Sequence, residues 1–320
     1  MIVRITRLLL LIQFLIAIGI YLVIIRSFHG IAAPFAAVLS LAIVIVVRLA
    51  ITSNNFLLAS RYSSETPPNF RVGWRDAFRL FLGEFRATMT ASSWTMPFRT
   101  FSRRIPDHPQ GLPVLLIHGY GCNSGYWRPM SNALLKANIL HHAVDLEPIV
   151  GGIDEYVPLI HGAVERLRQE TGHDKIVILA HSMGGLAARA YLRDHGSQHV
   201  ARVITLGTPH RGTALAHFGV GVNTHQMRWT ATEQEGIASE WLLKLAASED
   251  PAVYRLFVSI YSHQDNIISP QTSSHLEGAR NIEIHAVGHV ALGYDPRVQA
   301  QVIREIRDAS ATVTGLSQPA

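Results

Sequence analysis

The sequence predicts an α/β architecture, a mostly parallel sheet with helices on both faces, preceded by two N-terminal transmembrane helices. Three observations predict it. Two long uncharged apolar runs open the chain, and short apolar runs alternate with helical stretches from residue 112 onward. Between one strand-like run and one helix-like run stands a serine, Ser182.

The apolar runs come first. Hydrophobic residues make up 48% of the chain and charged residues 16%, against roughly 25% charged in an average soluble domain. Residues 8–25 form an 18-residue run broken only by Gln13, and residues 31–47 form a second that Arg48 closes. At 1.5 Å per residue such a helix reaches about 27 Å, close to the thickness of a bilayer's hydrocarbon core. The short loop RSFHG at 26–30 would join the two spans. Arg4 and Arg7 ahead of the first run also fit a cleaved signal peptide. That run is longer than a usual signal core, however, and a second follows at once. A buried pair of core helices is the third reading, opposed by the lack of a polar face on either run.

Charge is split along the chain. Through residue 110 there are 12 Arg, no Lys and four acids, a net of +8, so the rest carries −3 within the whole-chain +5. The basic balance therefore gives no support to nucleic-acid binding. Arginines flanking apolar helices fit an anionic membrane surface. Arg4 and Arg7 put the N-terminus on the cytoplasmic side by the positive-inside tendency. A hairpin returns the chain there, where Arg61, Arg71, Arg75 and Arg79 follow; Arg26 in the loop opposes this orientation. Cys122 is the single cysteine, so no intrachain disulfide forms, which suits a reducing compartment.

The expected organisation is a two-helix anchor at 1–52, a juxtamembrane linker at 53–110, an α/β domain at 111–307 and a tail at 308–320. Within the linker, Phe78, Phe81, Leu82, Phe85 and Met89 recur at helical spacing. Such a helix lies on the bilayer or packs on the following domain. Strands are expected at 112–118, 140–146, 175–182, 200–207, 253–262 and 281–288. Helices are expected from Ile153 to Gly172, from Met183, and around Val298–Ile306. Strands apolar on both faces and alternating with helices indicate a parallel sheet covered on two sides. Residues 208–250 interrupt the alternation, and an insertion of that length over the sheet's carboxyl ends is expected to cap the site.

The chemistry centres on Ala180-His181-Ser182-Met183-Gly184-Gly185. A serine on a tight strand-to-helix turn projects its hydroxyl above the sheet, and backbone N–H groups at the helix N-terminus meet its oxyanion. Gly184 fits the G-x-S-x-G pattern, and Ala180 replaces the first glycine. The competing reading is a serine that only caps a helix. Serine needs a base, and a carboxylate to orient it; in this strand–turn–helix arrangement the chain order is serine, acid, histidine. Asp265 follows the strand ending near Ser262, and His289 follows the strand ending near Gly288. Asp250 and His285 are the reserves, His285 being expected inside its strand. The second oxyanion donor should come from His118-Gly119-Tyr120-Gly121, so the N–H groups of Tyr120 and Met183 are the candidates. Cys122 lacks a strand–helix elbow and reads as a packed thiol. No metal site is expected, because His141 and His142 are adjacent and would face opposite ways on a strand. The phosphate-binding glycine patterns are missing too, so no cofactor is expected.

At these residues the sequence resembles the bacterial lipase and esterase branch of the α/β-hydrolase superfamily. The resemblance rests on HGYGCNSGYW at 118–127, AHSMGGLAARAYL at 180–192, LGTPHRGT at 206–213, DNIISPQTSSHL at 265–276 and VGHVAL at 287–292. It covers roughly residues 111–307 and nothing before them. It implies the α/β-hydrolase fold, a triad of Ser182, Asp265 and His289, and oxyanion donors Tyr120 and Met183. It also implies a pocket wall from His118, Gly119, His181, Thr208 and Pro209. The expected function is a membrane-anchored serine hydrolase of carboxylic esters, lipase- or esterase-like, with a lipid or ester substrate and the bilayer as partners. The expected location is a bacterial inner membrane, catalytic domain on the cytoplasmic face. An acyltransferase or thioesterase using the same triad is the main alternative, and a non-catalytic membrane scaffold the weaker one.

Overall fold

The structure, a computed structural model, describes residues 1–232 and 236–315. Residues 233–235 of the expected insertion and 316–320 of the expected tail lie outside the described residues. The helices α1 (Ile2–Ser27) and α2 (Ala33–Ser60) lead into α3 (Trp74–Thr90), which a π turn at Ala91–Thr95 continues into the short α4 (Met96–Phe98). The α/β part then runs β1 (Arg103–Arg104), β2 (Val114–Ile117), α5 (Arg128–Lys136), β3 (His141–Val144), α6 (Val157–Thr171), β4 (Ile176–His181), α7 (Met183–His195) and β5 (Val200–Leu206). After α8 (Val222–Gln226), the ribbon β6 (Trp229–Ala231) and β7 (Gly236–Ala238), and α9 (Glu240–Ser248), the chain completes β8 (Phe257–Tyr261), β9 (Arg280–Glu283) and α10 (Pro296–Thr314).

The main sheet has the order β1-β3-β2-β4-β5-β8-β9. Only the two-residue β1 runs antiparallel to its neighbour. Side chains on β2 alternate between two cores, which is why its sequence is apolar without a break. Leu115 and Ile117 pack with α6 and α7, whereas Val114 and Leu116 pack with α5 and α10. The sheet is therefore covered on both faces. From β2 the chain moves outward to β3, then crosses back to β4 on the other side. That reversal opens a crevice at the carboxyl ends of β2 and β4, the usual ligand position in such sheets.

Helix α7 occupies the middle of this arrangement. Every residue from Met183 to Leu192 is buried, including Arg189. Small residues (Gly184, Gly185, Ala187, Ala188, Ala190) let it lie close against the sheet. Arg189 is matched by Glu249 at the end of α9, with Nε 2.9 Å from Oε1; the two side chains are 2% and 4% exposed. Arg189 also donates to the His210 carbonyl at 3.0 Å. One arginine thus holds both ends of the insertion onto α7, the Glu249 end by an ion pair and the His210 end by a hydrogen bond.

Helices α1 and α2 are long and apolar enough to cross a membrane, with mean hydropathies of 3.0 and 2.5 over their best windows. Only 11% and 17% of those windows is buried, which does not fit a pair of core helices. Their buried side chains are mostly small, among them Ala17, Ala36 and Ser40, which permits close helix approach. Helix α3 packs one face on the following domain and leaves another exposed. Leu80, Glu84 and Ala87 are buried, while Trp74, Phe78 and Leu82 are exposed. On its α2 side the Phe81 ring lies 6.0 Å from that of Phe56.

Several boundaries differ from expectation. Helix α2 continues past residue 52 to Ser60, and α10 passes residue 307 to Thr314. Residues 253–256 are not strand: Asp250 caps and Pro251 opens a 3-10 turn there, the proline's fixed φ favouring a helical start. Strand β9 ends at Glu283, and Ala286 at φ +56° turns the chain away. His285 therefore sits in a loop, its Nε2 3.4 Å from the Arg71 carbonyl. Replacing Glu249 by Ala would strand the Arg189 guanidinium, and unfolding of the full chain in detergent should become easier by about 3–5 kcal/mol. A loss below about 1 kcal/mol would show that the pair does not hold the insertion.

Candidate active site

Ser182 is the first residue after β4 and the N-cap of α7. Its backbone adopts φ 54° and ψ −128°, a conformation that costs a non-glycine residue of order 1–3 kcal/mol. Neighbours fix it there. Its N–H donates to the Leu206 carbonyl at 2.9 Å, and its carbonyl accepts from Gly185 N–H at 3.0 Å and from Thr208 Oγ1 at 2.9 Å. The turn is so tight that two flanking positions have no room for a side chain. A Cβ at Gly184 would fall 2.5 Å from the Ile117 carbonyl oxygen, and one at Gly119 would fall 2.7 Å from Ser182 Cβ. These contacts bring the loop after β2 against the serine.

The Ser182 hydroxyl forms no hydrogen bond among the described residues. It opens on a cavity of about 330 Å³ whose lining includes Tyr120, Pro209, Leu215, Phe218, Met227 and Ile268. Residues of the 213–227 stretch line this cavity together with Ser182. Tyr120 pins the two sides together: its hydroxyl donates to the Val220 carbonyl at 2.8 Å and accepts from Val220 N–H at 3.1 Å. The N–H groups of Tyr120 and Met183 donate to no carbonyl in the surrounding loops and caps. Met183 N–H belongs to the first helical turn, whose donors have no partner within the helix.

Asp265 and His289 are brought together. His289 Nδ1 lies 2.7 Å from Asp265 Oδ2, both side chains being nearly fully buried. The other carboxylate oxygen, Oδ1, accepts from Ile267 and Ile268 N–H groups at 2.8 Å each, so the acid is aimed by its own loop. Asn266 Oδ1 accepts from His289 N–H at 2.9 Å. Burial alone would lower the imidazole's proton affinity. The Asp265 charge and hydrogen bond outweigh that, and the pKa of His289 is raised above its ordinary value. The histidine adjoins the serine through residue 181: His181 Nε2 is 3.1 Å from the His289 carbonyl, and the two rings are 4.6 Å apart. Asp250, the reserve acid, caps its 3-10 turn by accepting from Ala252 N–H at 2.9 Å.

Of the five residues expected in the pocket wall, only Pro209 lines the cavity. Gly119 packs behind the serine, and Thr208 bonds its carbonyl. His118 accepts from Leu146 N–H through Nε2 at 3.0 Å, with Nδ1 2.9 Å from the Gly119 carbonyl. His181 stacks on Tyr126 at 4.4 Å, and burial, then the neighbouring His289, holds it well below the usual imidazole range. Both are neutral struts. The Cys122 thiol is pushed up to about 12 by burial, so it holds its proton at neutral pH. His141 and His142 do diverge: one is bonded to Ser131 Oγ at 2.7 Å, the other faces Glu170 at 3.5 Å.

One site residue escaped the sequence reading. Glu84 of α3 is 1% exposed and accepts from Val290 N–H at 3.1 Å and Ala291 N–H at 2.9 Å, the residues directly after His289. Burial raises its pKa, and the two backbone donors oppose the shift. Glu84 is one of two acids in an arginine-rich amphipathic helix, and nothing in the sequence links it to a turn 206 residues away.

Comparisons with known proteins bear on the fold and on what the chain is similar to. A family model described as the alpha/beta hydrolase fold matches residues 160–220. A triacylglycerol lipase of Burkholderia plantarii is 28% identical over 155 residues, covering 46% of this chain and 41% of that lipase. A triacylglycerol lipase of Pseudarthrobacter phenanthrenivorans is 30% identical over 114 residues, 33% of this chain and 35% of its own. The chain thus spans about two fifths or less of these relatives. Among solved structures, the mature lipase BlEst2 of Bacillus licheniformis superposes with a TM-score of 0.55 at 16% identity, over 64% of this chain and 96% of that one. At that identity the likeness establishes the fold.

Glu84→Leu would leave the buried Val290 and Ala291 N–H groups without an acceptor, and unfolding measurements should show a loss of about 2–4 kcal/mol. Glu84→Gln keeps one acceptor and should lose clearly less; equal losses in both variants would mean the carboxylate does not support the His289 turn.

Proposed function

Taking as its premise that the chain is an α/β hydrolase similar to lipases and esterases, we propose that it is a membrane-anchored serine hydrolase of carboxylic esters. The observation that carries this reading is the strained Ser182 at the mouth of a cavity, beside a buried Asp265–His289 pair on adjacent loops. Ser182 Oγ attacks the ester carbonyl and gives its proton to His289 Nε2. Asp265, bonded to Nδ1, fixes the tautomer and stabilises the imidazolium that forms. The tetrahedral oxyanion takes hydrogen bonds from Tyr120 and Met183 N–H groups. Collapse breaks the bond to the alkoxy group, which leaves with the proton from His289. Water then attacks the acyl-enzyme, passes a proton to His289 and releases the acid, and Ser182 recovers its proton.

The anchor reading rests on α1 and α2 together. The Met1 ammonium meets Glu147 of the catalytic part, and Arg7 Nε donates to the Pro97 carbonyl at 2.9 Å. At the other end Ser269 Oγ donates to the Ala59 carbonyl at 2.7 Å. Both outer ends of the hairpin thus adjoin the catalytic part, which favours one face of the membrane for the N-terminus and the hydrolase. The arginine bias makes that face the cytoplasmic one of a bacterial inner membrane.

Purified protein should hydrolyse carboxylic esters, and Ser182→Ala should lower kcat by several orders of magnitude; a variant as active as the parent would end the assignment. Because protonated His289 cannot act as base, kcat/KM should fall as pH drops, with a midpoint above the ordinary imidazole value of about 6.5. Asp265→Asn removes the charge that raises this pKa. Its rate should fall by about a thousandfold or more, and the residual activity should titrate at lower pH. An acid limb unmoved by that substitution would contradict the pairing.

A further inference from the structure

Two cavities meet at one residue of α2. Asn55 and Leu58 stand on the wall of the Ser182 cavity, beside Tyr120 and Ile268. A second cavity of about 390 Å³ runs between α1, α2 and α3, and Asn55 borders it too. Along α2 it reaches from Ile43 to Asn55, about 18 Å of helix. Most of its surface is hydrocarbon, offered by Leu9, Ile16, Val44, Ile51, Phe85 and Met89. The one charged group in it is already satisfied: Arg48 donates to Gln13 Oε1 at 2.9 Å and to Ser92 Oγ. The guanidinium therefore ties α1 and the π turn after α3 to α2, with its donors engaged and its positive charge retained.

Two walls of this groove are the exposed apolar helices that suit a bilayer, so its open side faces lipid. A hydrocarbon chain leaving the bilayer for a pocket reached only through water would expose its methylenes on the way, an unfavourable transfer for each of them. Sliding sideways between helices keeps it in hydrocarbon throughout. Chemistry at Ser182 needs the ester carbonyl in the catalytic cavity, and a chain lying along α2 would deliver it past Asn55.

We infer that the groove between α1, α2 and α3 binds the long acyl chain of a bilayer-resident ester and passes its carbonyl at Asn55 to Ser182. This rests on the esterase reading and adds the route by which substrate arrives. Nothing in residues 1–110 takes part in the sequence resemblance, so the groove is a property of this chain's own N-terminal segment.

The test uses the full chain reconstituted in phosphatidylcholine vesicles and two substrates, water-soluble p-nitrophenyl butyrate and vesicle-dissolved p-nitrophenyl palmitate. The readout is the ratio of kcat/KM for the long ester to that for the short one, which does not depend on the fraction of folded protein. Val44→Trp and Ile16→Trp, which fill the groove, should each lower the ratio at least about tenfold. Val38→Trp, on the exposed side of α2 away from the groove, should leave it within about threefold of the parent. Unchanged ratios in both groove variants overturn the inference while leaving the esterase reading intact, and so does an equal fall in Val38→Trp. A parent protein that cleaves neither ester overturns the esterase reading, and the groove's role with it.

Discussion

The whole arrangement depends on a backbone conformation that a serine does not adopt freely. At φ 54° and ψ −128°, Ser182 carries strain that only over-determined surroundings sustain. Those surroundings are the best-packed part of the molecule. Strand β4 is buried along its whole length, α7 is buried for most of its own, and the serine's N–H and carbonyl are bonded to β5 and the loop after it. The same closeness that strains the turn excludes side chains at Gly119 and Gly184. It thereby draws the loop that carries Tyr120 close to the serine.

Around that turn the acid and base are set by backbone rather than by long side-chain networks. Asp265 is held by amides of its own loop and presents one free oxygen to His289. The backbone N–H of His289 is held by Asn266 and the next turn by Glu84. Since Glu84 comes from α3, that helix reaches into the support of the His289 turn. Together with Asn55 and Leu58 in the cavity wall, this makes residues 1–110 part of the site's construction. A passive tether would touch the domain at one end only.

Much of this was legible in the sequence, and the boundary of legibility is physical. Strands β2, β4 and β5 were visible because both their faces are buried, which writes a continuous apolar run. Ser182 and Asp265 stood out because each follows such a run near its carboxyl end, and His289 because it comes after them in the expected chain order. Edge strand β9 is half exposed, so its pattern blurred and His285 was assigned to a strand that ends before it. The pocket-wall residues failed for a different reason. His118, His181 and Thr208 are polar, adjacent to the site and buried, and proximity in sequence does not distinguish a strut from a wall. Glu84 needed a contact across the fold that no local pattern encodes. The division of α3 into a buried face and an exposed face likewise required knowing what lay on each side of it.

The central claim is that the hydroxyl of residue 182 is an activated nucleophile. Incubating the purified full chain with a fluorophosphonate and mapping the adduct by peptide mass spectrometry tests it most directly. The account predicts one covalent adduct per chain, on the peptide carrying position 182 and at that side chain. No adduct, or an adduct confined to any other residue, would contradict it.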